Sequence, residues 1–371
     1  MYHHTRVFID LAVFEANLRL LSSLLPPGCR LCAVVKADAY GHGLAQVAPL
    51  AIRAGASYLA IAENWEARIV REMEIEVPIL RLRPATADEV DEGLAWRIEE
   101  VVGSLAAAQR LSQVGERRQQ RIPVHLSLDV GISRMCFPFP YSKEEIERVL
   151  EMPGIEVVGV MAHYPGADEE DMAQTEQQIT QFEQGTEALF GKRRLLFHTA
   201  NSAAGLAYPR STMQMVRFGI ACYGYAPSEA IRLPEGIRPV MTWKSTIVEI
   251  RRVPAGSTIG YGRTCLLREA RQIATLPIGY ADGYLRAFSN QASVLVHGVR
   301  CPVVGRVSMD MVTVDISEAG AVAVGEETIL LGQQGQEVIT AEELARLAQT
   351  IHYEILCLAG QCNTREWLAA P

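Results

Sequence analysis

The stretch LCAVVKADAYGHGLAQVAPLAIRAGASYLAIA, residues 31–62, carries the pattern on which the fold turns. Leu31–Val35 is apolar at every position, which suits a strand buried on both faces. Lys36 closes that run. Gly43–Ala54 reads as a helix, and Gly55 is suited to end it. Tyr58–Ala62 is a second apolar run. Strand, helix, strand makes a crossover unit, so the two strands lie parallel.

The same alternation continues on either side. Strand-like runs recur at Pro78–Leu82, Glu100–Val102, Val124–Leu128, Val157–Ala162, Leu195–Phe197 and Gln214–Phe218. Helical patterns separate them, at Ser104–Val114 and Glu170–Phe190 among others. Upstream, Asp10 is placed to cap a helix with apolar positions Leu11, Phe14, Leu18, Leu21 and Leu25. Repeated β-α units predict a (β/α)8 TIM barrel. A doubly wound sheet is the rival, but the G-x-G-x-x-G turn expected after its first strand is absent.

After Pro234 the texture changes. Thr242–Val253, Arg271–Pro277, Ala292–His297, Val299–Val304 and Met311–Ile316 are short and β-branched, with Gly and Pro between them. They predict a mainly β C-terminal domain with one late helix at Thr340–Thr350, opened by a Thr340/Glu343 capping box. Arg6–Ile9 is strand-like and able to join it. The expected domains are a barrel over 10–234 and a β-rich domain over 235–371, with a strand from 1–9.

At 371 residues, two domains are the natural expectation. Apolar residues make up 49% and charged residues 21%, ordinary for a globular protein. A net charge of −8 argues against nucleic acid or an anionic membrane as partner. No run approaches the ~18 apolar residues of a membrane span, and the apolar N-terminal run is too short for a signal peptide. A cytoplasmic location is expected. Cys29-Arg30-Leu31-Cys32 matches C-x-x-C, but no second pair follows at zinc spacing, so no metal site is expected.

A lysine at the C-terminal end of a barrel strand faces the mouth, where barrel active sites lie. Burial of its stem favours the neutral amine, a nucleophile toward carbonyls. The segment Val35-Lys36-Ala37-Asp38-Ala39-Tyr40-Gly41-His42-Gly43 closely resembles the cofactor-lysine signature of the alanine racemase family. Further blocks resemble that family in the same order. They are Ala162-His163-Tyr164, His198-Thr199-Ala200-Asn201-Ser202, Val216-Arg217-Phe218-Gly219-Ile220, Ile259-Gly260-Tyr261-Gly262-Arg263, Ile278-Gly279-Tyr280-Ala281-Asp282 and Ser308-Met309-Asp310.

The resemblance implies pyridoxal 5'-phosphate (PLP) held by Lys36 and a head-to-tail homodimer with shared active sites. It implies two acid/base groups on opposite faces of the substrate: Lys36, and Tyr261 of a partner subunit. A free phenol has a pKa near 10, so a deprotonated Tyr261 needs nearby cations, and Arg134 matches the family's arginine. Arg217 is implied to face the pyridine nitrogen and leave it unprotonated, with His163 beside it. Asn201, Ser202, Gly219, Ile220, Tyr40 and Tyr353 match the cofactor and phosphate positions. Tyr280, Met309 and Asp310 match the substrate pocket and its entry.

There are departures. Ser127 stands where many relatives carry a lysine that becomes carboxylated, leaving Asp129, chloride or water to hold Arg134. Ser308 replaces a commoner Cys, and Cys265 an aromatic. The implied activity is interconversion of L- and D-alanine, supplying D-alanine for peptidoglycan in a bacterium. The alternative is a serine or broad-spectrum racemase. A decarboxylase of the same barrel class would place an acid where Arg217 stands, and a one-domain PLP carrier would lack Tyr261.

Overall fold

A computed structural model describes residues 4–368. The strands are β1 (Arg6–Asp10), β2 (Arg30–Val34), β3 (Ala56–Ile61), β4 (Ile79–Arg81), β5 (Ile98–Val102), β6 (Ile122–Ser127), β7 (Ile155–Met161), β8 (Leu196–His198) and β9 (Met215–Phe218). β2 to β9 form one parallel sheet of eight strands in the order β8-β7-β6-β5-β4-β3-β2-β9. The N–H of Gln214 donates to Phe197 O at 3.2 Å, and that of Arg217 to Ala200 O at 3.0 Å, drawing the last strand toward β8. The result is the nearly closed TIM-like barrel expected from the apolar runs.

The barrel strands are buried because helices follow most of them. Leu11–Ser23 turns Phe14, Leu18 and Leu21 inward, each fully buried. Leu105–Arg118 outlasts its expected end at Val114. Gly115 makes this possible, since a Cβ there would sit 2.0 Å from Gly154 O. Among the described residues no helix is long and apolar enough to cross a membrane.

The C-terminal strands are β10 (Met241–Thr246), β11 (Glu249–Val253), β12 (Thr258–Ile259), β13 (Cys265–Leu266), β14 (Arg271–Leu276), β15 (Ser293–Val296), β16 (Val299–Pro302), β17 (Val312–Asp315), β18 (Glu327–Gln334), β19 (Glu337–Ile339) and β20 (Thr364–Leu368). The main sheet runs β16-β15-β18-β10-β1-β20, with β19 on β18, and β11-β14-β17 form a second sheet. β1 lies antiparallel to β10 and parallel to β20, so the N-terminal strand joins the β-rich part as expected. Of the expected 1–9 strand, residues 1–3 lie outside the described residues.

Three expectations need correction. Thr242–Val253 is two strands in two sheets, broken at Ile247 and Val248. The late helix Ala341–Ala348 has only half of its capping box. Thr340 Oγ1 accepts the Glu343 N–H, but the Glu343 carboxylate is engaged by Arg300 at 2.7 and 3.0 Å. The tail holds a further helix, His352–Cys362, before β20.

The chain divides into two compact units. One is Val13–Ala39 with Leu44–Pro239. The other comprises the first strand, Tyr40–Gly43 and the chain from Val240 onward.

Candidate active site

β2 delivers Lys36 two residues past its end, half-buried. The next four residues all have positive φ: Ala37 55°, Asp38 53°, Ala39 55° and Tyr40 55°. The N–H of Ala39 donates to Val35 O at 2.8 Å. This is a left-handed helical turn built from L residues, which costs roughly 1–2 kcal/mol per residue. Such backbone persists where its surroundings fix it. Glu66, fully buried, accepts the N–H groups of Asp38 at 3.3 Å and Ala62 at 2.7 Å. Asp38 accepts the Leu44 N–H at 2.7 Å, at the start of helix Leu44–Arg53. Neither role was readable in the sequence, because a left-handed turn of non-glycine residues has no compositional sign.

Arg217, on β9, is almost wholly buried. It donates to His198 Nδ1 at 2.7 Å and to the carbonyls of Ala162, Thr199 and His198 at 2.9, 3.0 and 3.1 Å. His163 Nδ1 lies 3.4 Å from its Nη2. Burial lowers the Arg217 guanidinium to about 10, so it stays charged at neutral pH. Burial, then the charges of Arg217, Arg134 and Lys36, push the His163 imidazole down to about 3. The positive charges of Arg217, Arg134 and Lys36 all act on this one neutral imidazole.

Ser202 Oγ accepts the Gly219 N–H at 2.9 Å, and Ile220 opens a short 3-10 turn. Asn201 rather than Ser202 caps the helix Ser202–Ala207, its Oδ1 accepting the Ala204 N–H at 2.9 Å. The Ser202 hydroxyl proton is thereby left to point elsewhere.

Arg134 is exposed and makes no hydrogen bond or ion pair among the described residues. Asp129 does not take over the role of the missing lysine. Its carboxylate accepts the N–H groups of Gly131 and Ser133 at 2.9 and 3.0 Å and the Ser133 hydroxyl at 2.9 Å. Burial opposes its ionisation, yet those donors hold its carboxyl below the usual range. Ser127 instead donates to Cys136 Sγ at 3.2 Å. Asp129 thus shapes the loop that presents Arg134 and leaves the guanidinium unanchored.

The remaining predicted residues belong to the β-rich unit. The Tyr40 and Tyr353 rings lie 6.0 Å apart, Tyr353 riding on helix His352–Cys362. Arg365 donates to Gly41 O at 3.2 Å and the Trp367 indole to His42 O at 2.8 Å, tying Tyr40–Gly43 to this unit. Tyr261 follows Gly260, whose φ of 71° and ψ of −175° suit glycine alone. Its side chain is 72% exposed. The N–H of Tyr280 donates to Ser308 O at 3.0 Å, and that of Ala281 to Met309 O at 2.9 Å. A Cβ at Gly279 would lie 2.3 Å from Met309, so these two loops pack back to back. Tyr280, Met309 and Asp310 are brought together there, and all three are exposed.

The barrel-unit residues fit an anionic cofactor. Arg217 lies against a neutral imidazole, and its donor-only guanidinium suits a ring nitrogen that accepts. An eight-stranded parallel barrel with a lysine beyond the end of its first strand, joined to a β-rich unit bearing an exposed tyrosine, defines a two-domain barrel enzyme. The chain matches the alanine racemase N-terminal domain over residues 9–227 and the alanine racemase C-terminal domain over 240–367. It belongs to the alanine racemase family.

An alanine racemase of Syntrophobacter fumaroxidans is 41% identical over 360 residues, covering 96% of both chains. A broad specificity amino-acid racemase of Aeromonas hydrophila is 35% identical, over 96% of this chain and 88% of its own. Among solved structures, the alanine racemase of Bacillus anthracis with bound L-Ala-P superposes with a TM-score of 0.92 at 32% identity, covering 100% of this chain and 96% of that one. The Bartonella henselae alanine racemase with covalently bound pyridoxal phosphate gives 0.87 at 26%, covering 99% and 100%.

Proposed function

We propose that this protein is a PLP-dependent racemase that interconverts L- and D-alanine. The observation that carries the proposal is Lys36, on its fixed left-handed corner, following the strand that pairs with the one bearing the buried, donor-only Arg217. The relatives named above support alanine as substrate. PLP, when bound, withdraws electrons from the substrate Cα and so eases loss of its proton.

The protein's own groups do the rest. Lys36 would hold the cofactor, and its free amine would take the α-proton from one face of the substrate or return it there. Tyr261 of a partner subunit does the same on the opposite face, so a proton taken from one side is replaced from the other. Its exposure in a single chain supports that division. Arg134 supplies positive charge that favours the deprotonated phenol and the substrate carboxylate. Arg217, a donor only, would leave a cofactor ring nitrogen unprotonated and so limit side reactions. His163 stays neutral beside it and adds no further charge. Tyr40, Tyr353, Ser202 and the Gly219–Ile220 turn hold the phosphate, with Asn201 bracing the Ser202 helix. Tyr280, Met309 and Asp310 line the approach.

We assign the barrel to 10–234 and the second domain to 235–371 with the first strand, working as a head-to-tail homodimer in the cytoplasm to supply D-alanine for the cell wall. The spans of the two family domains support that division.

A second reading, broad-spectrum racemisation, is favoured by the Aeromonas relative and by a lysine racemase of Proteus mirabilis, 34% identical over 96% of this chain. A pocket rejects one added group only about 10–200-fold, so modest wall changes suffice. One experiment tests both readings. Purified protein is assayed by chiral chromatography with alanine, serine, lysine and arginine, alongside its visible spectrum. Alanine turnover with a cofactor band is expected. Comparable rates on all four would establish the second reading, and no turnover on any would refute both.

A further inference from the structure

The barrel holds a series of buried polar side chains that the reaction above does not use. All the acceptors of Arg217 are neutral: carbonyls of Ala162, His198 and Thr199, and the imidazoles of His198 and His163. Among the described residues no carboxylate pairs with it. A buried cation without an opposing charge is costly.

The series fixes its own proton positions. A guanidinium can only donate, so His198 Nδ1, 2.7 Å from Arg217 Nη1, must be the bare nitrogen. Burial, then the charge of Arg217, drives the His198 pKa well down, so the ring is neutral and its single proton sits on Nε2. That nitrogen lies 2.8 Å from His125 Nδ1, which must therefore accept. His125 then carries its proton on Nε2, 2.8 Å from Glu99 Oε2. Every hydrogen points away from Arg217 and toward Glu99. One end can only donate and the other can only accept, so the tautomers between are set.

The backbone makes room for this series. β7 lies between β6 and β8 in the sheet, yet His125 of β6 reaches His198 of β8. It crosses at Gly159, where a Cβ would lie 2.2 Å from His125 Nδ1. The β6–β7 register also shifts between Val124 and His125, an irregularity that re-aims a side chain. Both imidazoles are fully buried.

We propose that Glu99, relayed through His125 and His198, is the remote counter-ion of Arg217 and a positioning group for the cofactor ring. The inference rests on the function proposed above. Two neutral rings carry polarisation from the carboxylate, making His198 Nδ1 a stronger acceptor. Arg217 is held in place by neutral acceptors, with no carboxylate in direct contact among the described residues. A carboxylate in direct contact would offset the positive field that Arg217 would offer a cofactor ring nitrogen.

The test uses the full-length protein labelled with 15N-histidine, its signals assigned with His125→Asn and His198→Asn variants. Both imidazoles are expected to be neutral and protonated on Nε2. Protonation of either on Nδ1 would overturn the proposal, whether or not any Glu99 variant folds. Glu99→Gln keeps an acceptor of the same shape and removes the charge. It is expected to move the His125 Nε2–H resonance upfield and to lower kcat about tenfold with KM changed less than about twofold, the scale of losing a partner that orients an imidazole. The cofactor band should shift with it. An active variant with unchanged imidazole resonances, band and kcat would refute the proposal. Failure of the racemase reading is separate: the wild-type protein would then show no turnover, while its imidazole tautomers would still be readable.

Discussion

The barrel unit and the β-rich unit present their candidate residues in opposite ways. In the barrel unit, Arg217 is enclosed by its hydrogen bonds, and Lys36 sits on a corner fixed by Glu66 and Asp38. In the β-rich unit, Tyr261, Tyr280 and Met309 stand on short loops, 72%, 43% and 58% exposed. Their backbones are fixed by Gly260 and by the Tyr280–Ser308 and Ala281–Met309 bonds, but their side chains are not. The difference teaches that the barrel unit fixes its candidate side chains by buried hydrogen bonds, whereas the β-rich unit fixes backbone and leaves its candidate side chains exposed. A second copy of the chain is the partner the proposed mechanism requires.

The sharpest way to break this contrast is at Lys36. Lys36→Ala should lose the visible cofactor band and more than about a thousandfold in racemisation, as expected when a covalent and acid/base group is removed. A band that survives would show that the barrel unit does not hold the cofactor through this lysine.

Tyr261→Phe removes only a proton carrier and should cost about 10²–10⁴-fold. The loss should fall on α-hydrogen exchange from one enantiomer far more than from the other; equal losses would count against opposite-face chemistry. Mixing Lys36→Ala with Tyr261→Phe sharpens the comparison further. Partial recovery of activity is expected when mixed dimers pair an intact lysine with an intact tyrosine. No recovery in verified mixed dimers would mean that each chain completes its own site.

The smallest effect lies in the stability of the barrel unit toward acid. His163 falls to about 3 and His198 well below its usual value on folding, so the unfolded chain binds protons more readily. Their neutral burial is compatible with folding at full strength above about pH 6.5, and stability declines as pH falls from there toward about 3. Urea titrations at pH 7 and pH 5 should show a lower midpoint at pH 5. An unchanged midpoint would mean that these imidazoles are charged or exposed in the folded protein.

Much of the barrel was legible because parallel strands buried on both faces are apolar at nearly every position, as Leu31–Val35 is. Lys36, Tyr261 and Arg217 stand out as candidates because they sit in blocks that resemble the family. The rest was hidden by distance or by context. His125 in Val124-His125-Leu126 looks like an ordinary core histidine; its partners His198 and Glu99 are 73 and 26 residues away. Gly159 gives no hint that it clears a path for a ring on another strand. Thr242–Val253 reads as one strand because β-branched residues recur along it with no Gly or Pro between, and only the two sheets reveal the break. The capping box at Thr340 and Glu343 failed because Arg300, remote in sequence, outcompetes a backbone N–H for the carboxylate.

The corner after Lys36 has a consequence for how the molecule assembles. A mirror-sense turn of L residues is disfavoured in a free chain, so Ala37–Ala39 should not nucleate early. It becomes stable only after the helices bearing Glu66 and Leu44 have docked on the barrel. The segment after Lys36 is therefore expected to be a late arrival in folding, visible as slower amide protection at Ala39 than in β2 during refolding. Simultaneous protection of the two would show that the turn forms without its scaffold.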